Sequence, residues 1–185
     1  MRIVGGTLRG SRLAAPATDR LRPTSDRTRE SVFNILVHGI DGFDIEGARV
    51  LDLFAGTGAL GCEALSRGAR FSLFVDDHAE SRALIRRNVE ALALTGVSRV
   101  YRRDATRLGP AERMGTFGLV FADPPYGKGL ADLALAAARV GGWLDAGAVV
   151  VVEESAEAAF GAPEGFEEID RRRYGDTQVV FLRAG

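Results

Sequence analysis

From residue 49 onward, short apolar runs of strand length alternate with stretches whose apolar residues recur every three to four positions. Val50-Leu51-Asp52-Leu53-Phe54, Phe71-Ser72-Leu73-Phe74-Val75, Leu119-Val120-Phe121-Ala122 and Ala148-Val149-Val150-Val151-Val152 are nearly continuous in apolar residues, the pattern of strands covered on both faces. The pattern predicts strands over 49–54, 71–75, 98–102, 118–122 and 148–152, with helices over 58–67, 79–93 and 130–140. Strands alternating with helices make a parallel α/β sheet, with ligands expected at the strands' carboxyl ends. The last part differs: residues 167–174 and 178–182 flank Gly175-Asp176-Thr177 as an antiparallel hairpin, and this tetrad from Tyr174 reads as a turn rather than a catalytic element. Ahead of the alternation, Arg2-Ile3-Val4 and Arg12-Leu13-Ala14 surround Gly5-Gly6 and Gly10, a small hairpin carrying Arg9 and Arg12. Thr24 or Ser25 then caps a helix through about Val37, with Val32, Phe33, Ile35 and Leu36 as its apolar face and Arg29 off that face.

At 185 residues the chain is long enough for one domain, residues 1–185, burying roughly 70% of its unfolded surface without staples. Residues 1–38 form an Arg-rich extension of it, hairpin plus helix. Cys62 is the sole cysteine, so no disulfide forms within the chain and the thiol packs as a small apolar group. The apolar runs are too short to span a bilayer and no signal-type segment opens the chain, so a cytoplasmic monomer without membrane contact is expected. His38 and His78 have no cysteines or acids at ligand spacing, and no metal is expected. Asn88 reads as a residue bonding backbone or facing water.

Net charge is −1, which taken as uniform would argue against a nucleic-acid partner. The charge is not uniform. Residues 1–30 hold seven arginines against Asp19, Asp26 and Glu30, a balance of +4 that leaves −5 for the rest. Lys128 is the only lysine, and guanidinium forks suit phosphate oxygens. The basic N-terminal patch makes RNA a plausible ligand.

Two constellations carry chemistry. The run ending at Phe54 leads into Ala55-Gly56-Thr57-Gly58-Ala59-Leu60-Gly61, which opens a helical pattern: Gly56 and Gly58 let backbone approach a ligand, and Gly61 lets the helix pack on the strand. Asp76 ends the next strand twenty residues after Gly56, placed to accept ribose hydroxyls, with Asp77 beside it. The glycine spacing also fits a dinucleotide fingerprint, so an NAD-dependent oxidoreductase is one reading. Asp123-Pro124-Pro125-Tyr126 ends the run 119–122. Its prolines stiffen the segment and lack N–H groups, so the wall offers acceptors, the Asp123 carboxylate and the Pro124 carbonyl, next to an aromatic ring. Such a wall suits the exocyclic amino group of a flat base. A dinucleotide oxidoreductase would leave it without a role, and a purely RNA-binding module would not need it.

The pairing of Asp52-Leu53-Phe54-Ala55-Gly56-Thr57-Gly58 with Asp123-Pro124-Pro125-Tyr126 resembles the S-adenosylmethionine-dependent amino-methyltransferases, which methylate exocyclic nitrogens of bases. More narrowly, Arg22-Pro23-Thr24-Ser25-Asp26-Arg27-Thr28-Arg29-Glu30-Ser31-Val32-Phe33-Asn34 and Gly58-Ala59-Leu60-Gly61-Cys62-Glu63-Ala64-Leu65-Ser66-Arg67-Gly68-Ala69 are similar to the RsmD family, which methylates guanine N2 in 16S ribosomal RNA. The likeness runs from Arg2-Ile3-Val4-Gly5-Gly6 through Tyr174-Gly175-Asp176-Thr177. It implies a Rossmann-like class I methyltransferase fold, a mostly parallel seven-stranded sheet with an antiparallel C-terminal hairpin. It also implies S-adenosylmethionine as cofactor, held by Asp52, Phe54, Ala55, Gly56, Gly58, Ala59, Leu60, Asp76 and Asp77, with Asp104 accepting the adenine amino group beside the Ala105 N–H. Asp123, Pro124 and Tyr126 become the catalytic residues, and Arg9, Arg12, Arg22, Arg27 and Arg29 the RNA contacts. The implied partner is 16S ribosomal RNA, free or within the small ribosomal subunit; an amino-methyltransferase acting on another base or RNA is the alternative. The chain departs from the family at Val75-Asp76-Asp77-His78, where the family usually has Glu at the first acid, so either Asp76 or Asp77 holds the ribose.

Overall fold

The computed structural model describes residues 1–16 and 24–185. Helix α1 (Asp26–His38) precedes β1 (Arg49–Leu53), α2 (Ala59–Ser66), β2 (Phe71–Asp76), α3 (Ala79–Ala91), β3 (Ser98–Arg102), β4 (Phe117–Ala122), α4 (Leu130–Val140), β5 (Leu144–Ser155), β6 (Phe166–Tyr174) and β7 (Thr177–Ala184). The seven strands form one sheet in the order β3-β2-β1-β4-β5-β7-β6. Strands β1 to β5 are parallel, and β7 enters antiparallel between β5 and β6. This is the class I methyltransferase topology that the resemblance implied.

Side chains alternate across each strand, so the apolar runs feed two cores. Val50, Phe74, Leu119, Phe121, Val149 and Val151 pack with Phe33 and Leu36 of α1, Cys62 and Leu65 of α2, and Ile85 of α3. Leu51, Leu73, Val120, Val150 and Val152 pack on the opposite face with Ala134, Leu135 and Ala138 of α4 and the fully buried Trp143. Cys62 lies in the first core, where burial pushes its thiol up to about 12.

Element boundaries follow the sequence pattern within a residue or two, except at β5, which extends beyond 148–152 at both ends. Its extra length is set by pairing: Leu144 lies opposite Phe117 beyond a register shift, and Ser155 lies opposite Thr177. Ser25 caps α1 by accepting the Thr28 N–H at 3.1 Å. The N-terminal hairpin is minimal, one bridge between Arg2 and Arg12 with flanking backbone bonds from Ile3 to Ser11 and from Leu13 to Met1.

Arg29 corrects one expectation. It faces inward, fully buried, with Nε 3.2 Å from Glu63 and Nη2 2.9 Å from Asp26. It also donates to the carbonyls of Thr24 and Arg2. Its guanidinium is committed to the protein and is not presented to a phosphate. Glu63, also fully buried, accepts in addition from Arg67 and from the N–H groups of Val4 and Gly5. This one carboxylate therefore ties the N-terminal hairpin, α1 and α2 together. Among the described residues no helix is long and apolar enough to cross a membrane.

Candidate active site

A cavity of about 720 Å³ opens at the carboxyl ends of the parallel strands, within the size range of small-molecule sites. Three strand ends and their following turns build it. The turn after β1 contributes Phe54, Ala55, Gly56, Thr57, Ala59 and Leu60; the end of β2 contributes Asp76 and Asp77; the segment after β3 contributes Arg103, Asp104 and Ala105. The turn after β4 closes the fourth side with Asp123, Pro124, Pro125 and Tyr126.

The glycine turn owes its shape to left-handed backbone. Gly56 and Gly58 have φ of 60° and 79°, and Phe54, a residue with a Cβ, is held at 54°. Such a bulky residue at positive φ costs on the order of 1–3 kcal/mol and persists where its surroundings enforce it. Gly61 is needed for packing: an added Cβ would lie 2.4 Å from Phe74 Cε1 and 2.6 Å from Ser72 Oγ. The Gly61 N–H reaches Asp52 Oδ2 at 3.0 Å. Asp52 is almost fully buried, and burial first, with the Asp76 charge adding to it, raises its carboxyl well above the ordinary range. Of the residues expected to hold the cofactor, Asp52 and Gly58 do not line the cavity; they stand behind it and shape the turn.

Asp76 and Asp77 divide differently. Asp76 is buried, and its Oδ2 accepts the Gly56 N–H at 3.0 Å while Oδ1 accepts the His78 N–H at 2.9 Å. It thus joins the end of β2 to the glycine turn, whereas the Asp77 carboxylate is exposed. His78 is not isolated from acids as the sequence suggested. Its Nδ1 lies 2.9 Å from Asp77 and 3.3 Å from Asp76, and the three ligand atoms fall within 4.8 Å of one another. Each Asp76 oxygen accepts one backbone N–H and keeps a second lone pair toward the cavity. Asp104 accepts from Thr106 twice, side chain and backbone, both on Oδ1, and these bonds lower its carboxyl below the ordinary value. The buried Ala105 follows it at the cavity wall.

Asp123 lies at the fourth side. Burial, then the charge of Glu153, then that of Asp52 raise its carboxyl well above the ordinary range. Thr24 Oγ1 lies 2.6 Å from Glu153 Oε2 and 3.4 Å from Asp123 Oδ2. The Tyr126 hydroxyl donates to Glu153 Oε1 at 2.7 Å and lies 3.0 Å from Thr177 Oγ1. Burial pushes the phenol above its usual value. Sequence reasoning missed Glu153, Thr177 and the role of Thr24 at this wall. A signal for Glu153 existed: Val152 pairs with Ala122 in parallel register, so the residue after each run lands at the same level of the sheet. Asn88 also does more than its sequence context suggests. Its Nδ2 donates to the Thr57 carbonyl at 2.8 Å and its Oδ1 accepts the Ala14 N–H at 2.7 Å, joining the glycine turn to the N-terminal segment.

Of the arginines expected at RNA, Arg9, Arg12 and Arg27 are exposed, Arg29 is buried, and Arg22 lies outside the described residues. The Leu8 N–H bonds Ser66 Oγ at the far end of α2 from the glycine turn, which places the hairpin tip next to Arg9 away from the cavity.

Comparison with known proteins agrees with this geometry. The family model described as Conserved hypothetical protein 95 matches residues 1–183. The Ribosomal RNA small subunit methyltransferase D of Escherichia coli K12 is 39% identical over 158 residues, 85% of this chain and 76% of that protein. The solved structure of the Escherichia coli protein yhhF superposes with a TM-score of 0.84 at 30% identity, covering 100% of this chain and 97% of that one. A magnesium protoporphyrin IX methyltransferase from Synechocystis, solved with bound S-adenosylmethionine, shares the fold at 18% identity and a TM-score of 0.63, over 86% of this chain and 79% of that one. On the match from residue 1 to 183 and this level of identity, the chain belongs to the RsmD family of ribosomal RNA methyltransferases.

Proposed function

We propose that this protein transfers the methyl group of S-adenosylmethionine to the exocyclic N2 of a guanine in 16S ribosomal RNA. The observation that carries the reading is the acceptor wall of Asp123 and Pro124 standing on the same cavity as the glycine turn, Asp76 and Asp104. The residues present fit the cofactor. Asp76 and Asp77 offer carboxylate oxygens to ribose hydroxyls, Asp104 Oδ2 is left for an amino group by the two bonds on Oδ1, and the left-handed backbone of Gly56 permits close approach. When bound, S-adenosylmethionine supplies an electrophilic methyl on a positively charged sulfur.

Guanine N2 is a poor nucleophile because its lone pair is delocalised into the ring. The Asp123 carboxylate and the Pro124 carbonyl each accept one N–H, turning the lone pair out of the ring plane. With S-adenosylmethionine bound, the nitrogen would gain the methyl as the methyl–sulfur bond breaks, and Asp123 would take the proton that the nitrogen sheds. Orientation of this kind contributes up to about 7–11 kcal/mol in well-aligned intramolecular models. Tyr126 stacks on the base, which offsets the few kcal/mol, on the order of one stacking step, needed to extrude it from RNA. The exposed Arg9, Arg12 and Arg27 contribute phosphate contacts, whether the substrate is free 16S RNA or the assembled small subunit.

The test is single-turnover methylation of 16S RNA and of the small subunit at saturating cofactor, with the product nucleoside identified. Asp123→Ala should abolish transfer and Asp123→Asn should retain a residue of it, since an amide oxygen still accepts a hydrogen bond. A methyl on a ring carbon or a ribose, or a wild-type rate in Asp123→Ala, overturns the reading.

A further inference from the structure

The Asp123 wall contains a second carboxylate that has no part in the transfer step itself. Glu153 ends the buried run Val149-Val150-Val151-Val152 of β5, as Asp123 follows the run that ends β4, and parallel register brings the two to one level. A like charge beside a general base is unfavourable. A carboxylate at that position is therefore expected to have a task there, and its hydrogen bonds indicate which.

Each Glu153 oxygen holds one hydroxyl: Oε1 accepts from Tyr126 at 2.7 Å and Oε2 from Thr24 at 2.6 Å. Tyr126 has a single hydroxyl proton, so its oxygen in turn accepts from Thr177 Oγ1 at 3.0 Å. The ring expected to stack on the base is thereby fixed from two strands. Thr24 also has a single hydroxyl proton, and at 2.6 Å against 3.4 Å it goes to Glu153 rather than to Asp123. Asp123 keeps the longer contact with Thr24 and a side-chain hydrogen bond with Glu153, so its protonation is tied to Glu153 directly. Among the described residues the groups facing Asp123 are Glu153 from β5, Asp52 from β1, Thr24 ahead of α1 and Tyr126 from its own turn.

We propose that Glu153 is the positioning residue of this site: through Thr24 and Tyr126 it orients the base-binding wall, and by its charge it sets the pH at which Asp123 accepts the N2 proton. The proposal rests on the reading of Asp123 as the acceptor of that proton. The direction follows from electrostatics. Asp123 must be ionised to take the proton, and a neighbouring negative charge holds it protonated to higher pH, so activity falls as pH drops through a limb lying above the ordinary carboxylate range.

The experiment is the pH profile of single-turnover methyl transfer for wild type, Glu153→Gln, Glu153→Asp and Asp123→Asn, with S-adenosylmethionine affinity measured alongside. Glutamine keeps an acceptor for Tyr126 and can donate to Thr24, so it removes charge while preserving contacts. The acid limb should move down by about one pH unit in Glu153→Gln, the lower end of what a like charge within reach produces. In Glu153→Asp the limb should stay in place at a reduced rate, and cofactor affinity should be unchanged in both. A lowered rate with an unmoved limb in Glu153→Gln would mean a merely structural role and overturn the proposal. Glu153→Met gives a second reading if the glutamine variant does not fold: it also removes the charge, so the limb should again move down, and an unmoved limb would count against Glu153. An acid limb that survives in Asp123→Asn refutes the base assignment itself, so the two failures are distinguishable.

Discussion

Replacing Arg29 with Met separates a folding role from an RNA-binding role. The guanidinium is fully buried and gives up four partners when removed: Glu63, Asp26 and the carbonyls of Thr24 and Arg2. Breaking a buried ion pair by removing one member costs about 3–5 kcal/mol, because the remaining charge loses its compensation. Glu63 keeps Arg67 at 3.0 Å and two backbone N–H groups at 2.9 Å, so the lower end, about 3 kcal/mol, is expected. With a urea slope of about 2 kcal/mol/M for a chain of this size, the unfolding midpoint should fall by about 1.5 M. RNA affinity of the folded variant should depend on salt as in wild type, whereas an arginine that neutralised one phosphate of an RNA strand would, on removal, reduce the log–log slope by about 0.7. The double variant Arg29→Met with Glu63→Leu should not regain that stability, because it also takes the acceptor from Arg67 and from the Val4 and Gly5 N–H groups. A midpoint within about 0.3 M of wild type, together with a reduced salt slope, would refute the structural assignment and return Arg29 to the RNA surface.

Gly61→Ala should destabilise the chain by about 1–3 kcal/mol and weaken cofactor binding, because its Cβ overlaps the Phe74 ring and pushes α2 off Asp52; unchanged thermal stability would contradict that packing. Asp76→Ala should weaken S-adenosylmethionine binding by roughly 1–3 kcal/mol and Asp77→Ala by less, read by titration calorimetry; a silent Asp76 would transfer the ribose to Asp77. Asp123→Asn should raise stability at neutral pH. Its raised carboxyl contributes stability that is present below the unfolded value and lost as pH rises through the folded one, so wild type and variant should converge in acid; a gain that is independent of pH would argue against titration as the cause.

The sheet was legible because its strands are buried on both faces and its helices repeat at helical spacing; Val50-Leu51-Asp52-Leu53-Phe54 admits few other readings. The glycine turn and the Asp123 turn were legible because each needs local backbone geometry that only certain residues supply. What stayed hidden depends on partners far along the chain. Nothing near Arg29 in sequence announces Glu63, so a residue in an Arg-rich segment reads as surface when it is the core of an ion-pair cluster. Asn88 looks idle until the fold brings Thr57 and Ala14 to its two ends. Thr24 could be assigned as a cap of α1, but Ser25 does that work, and the Thr24 hydroxyl reaches β5 instead.

The insertion of β7 between β5 and β6 has a consequence for the order in which this molecule can be made. β7, the last strand of this sheet in chain order, is an interior one, and until residues 177–184 emerge from the ribosome β5 presents an unpaired apolar edge. The glycine turn and the ends of β1 to β4 can settle without it. Tyr126 cannot yet be held from both sides, because Thr177 begins β7. A nascent chain halted before Thr177 should accordingly bind cofactor yet be prone to edge-to-edge association, while the base-binding wall gains its last support only when β7 is in place. Ribosome-stalled chains of increasing length, probed by cofactor crosslinking, would show whether completion of the sheet and completion of the wall coincide.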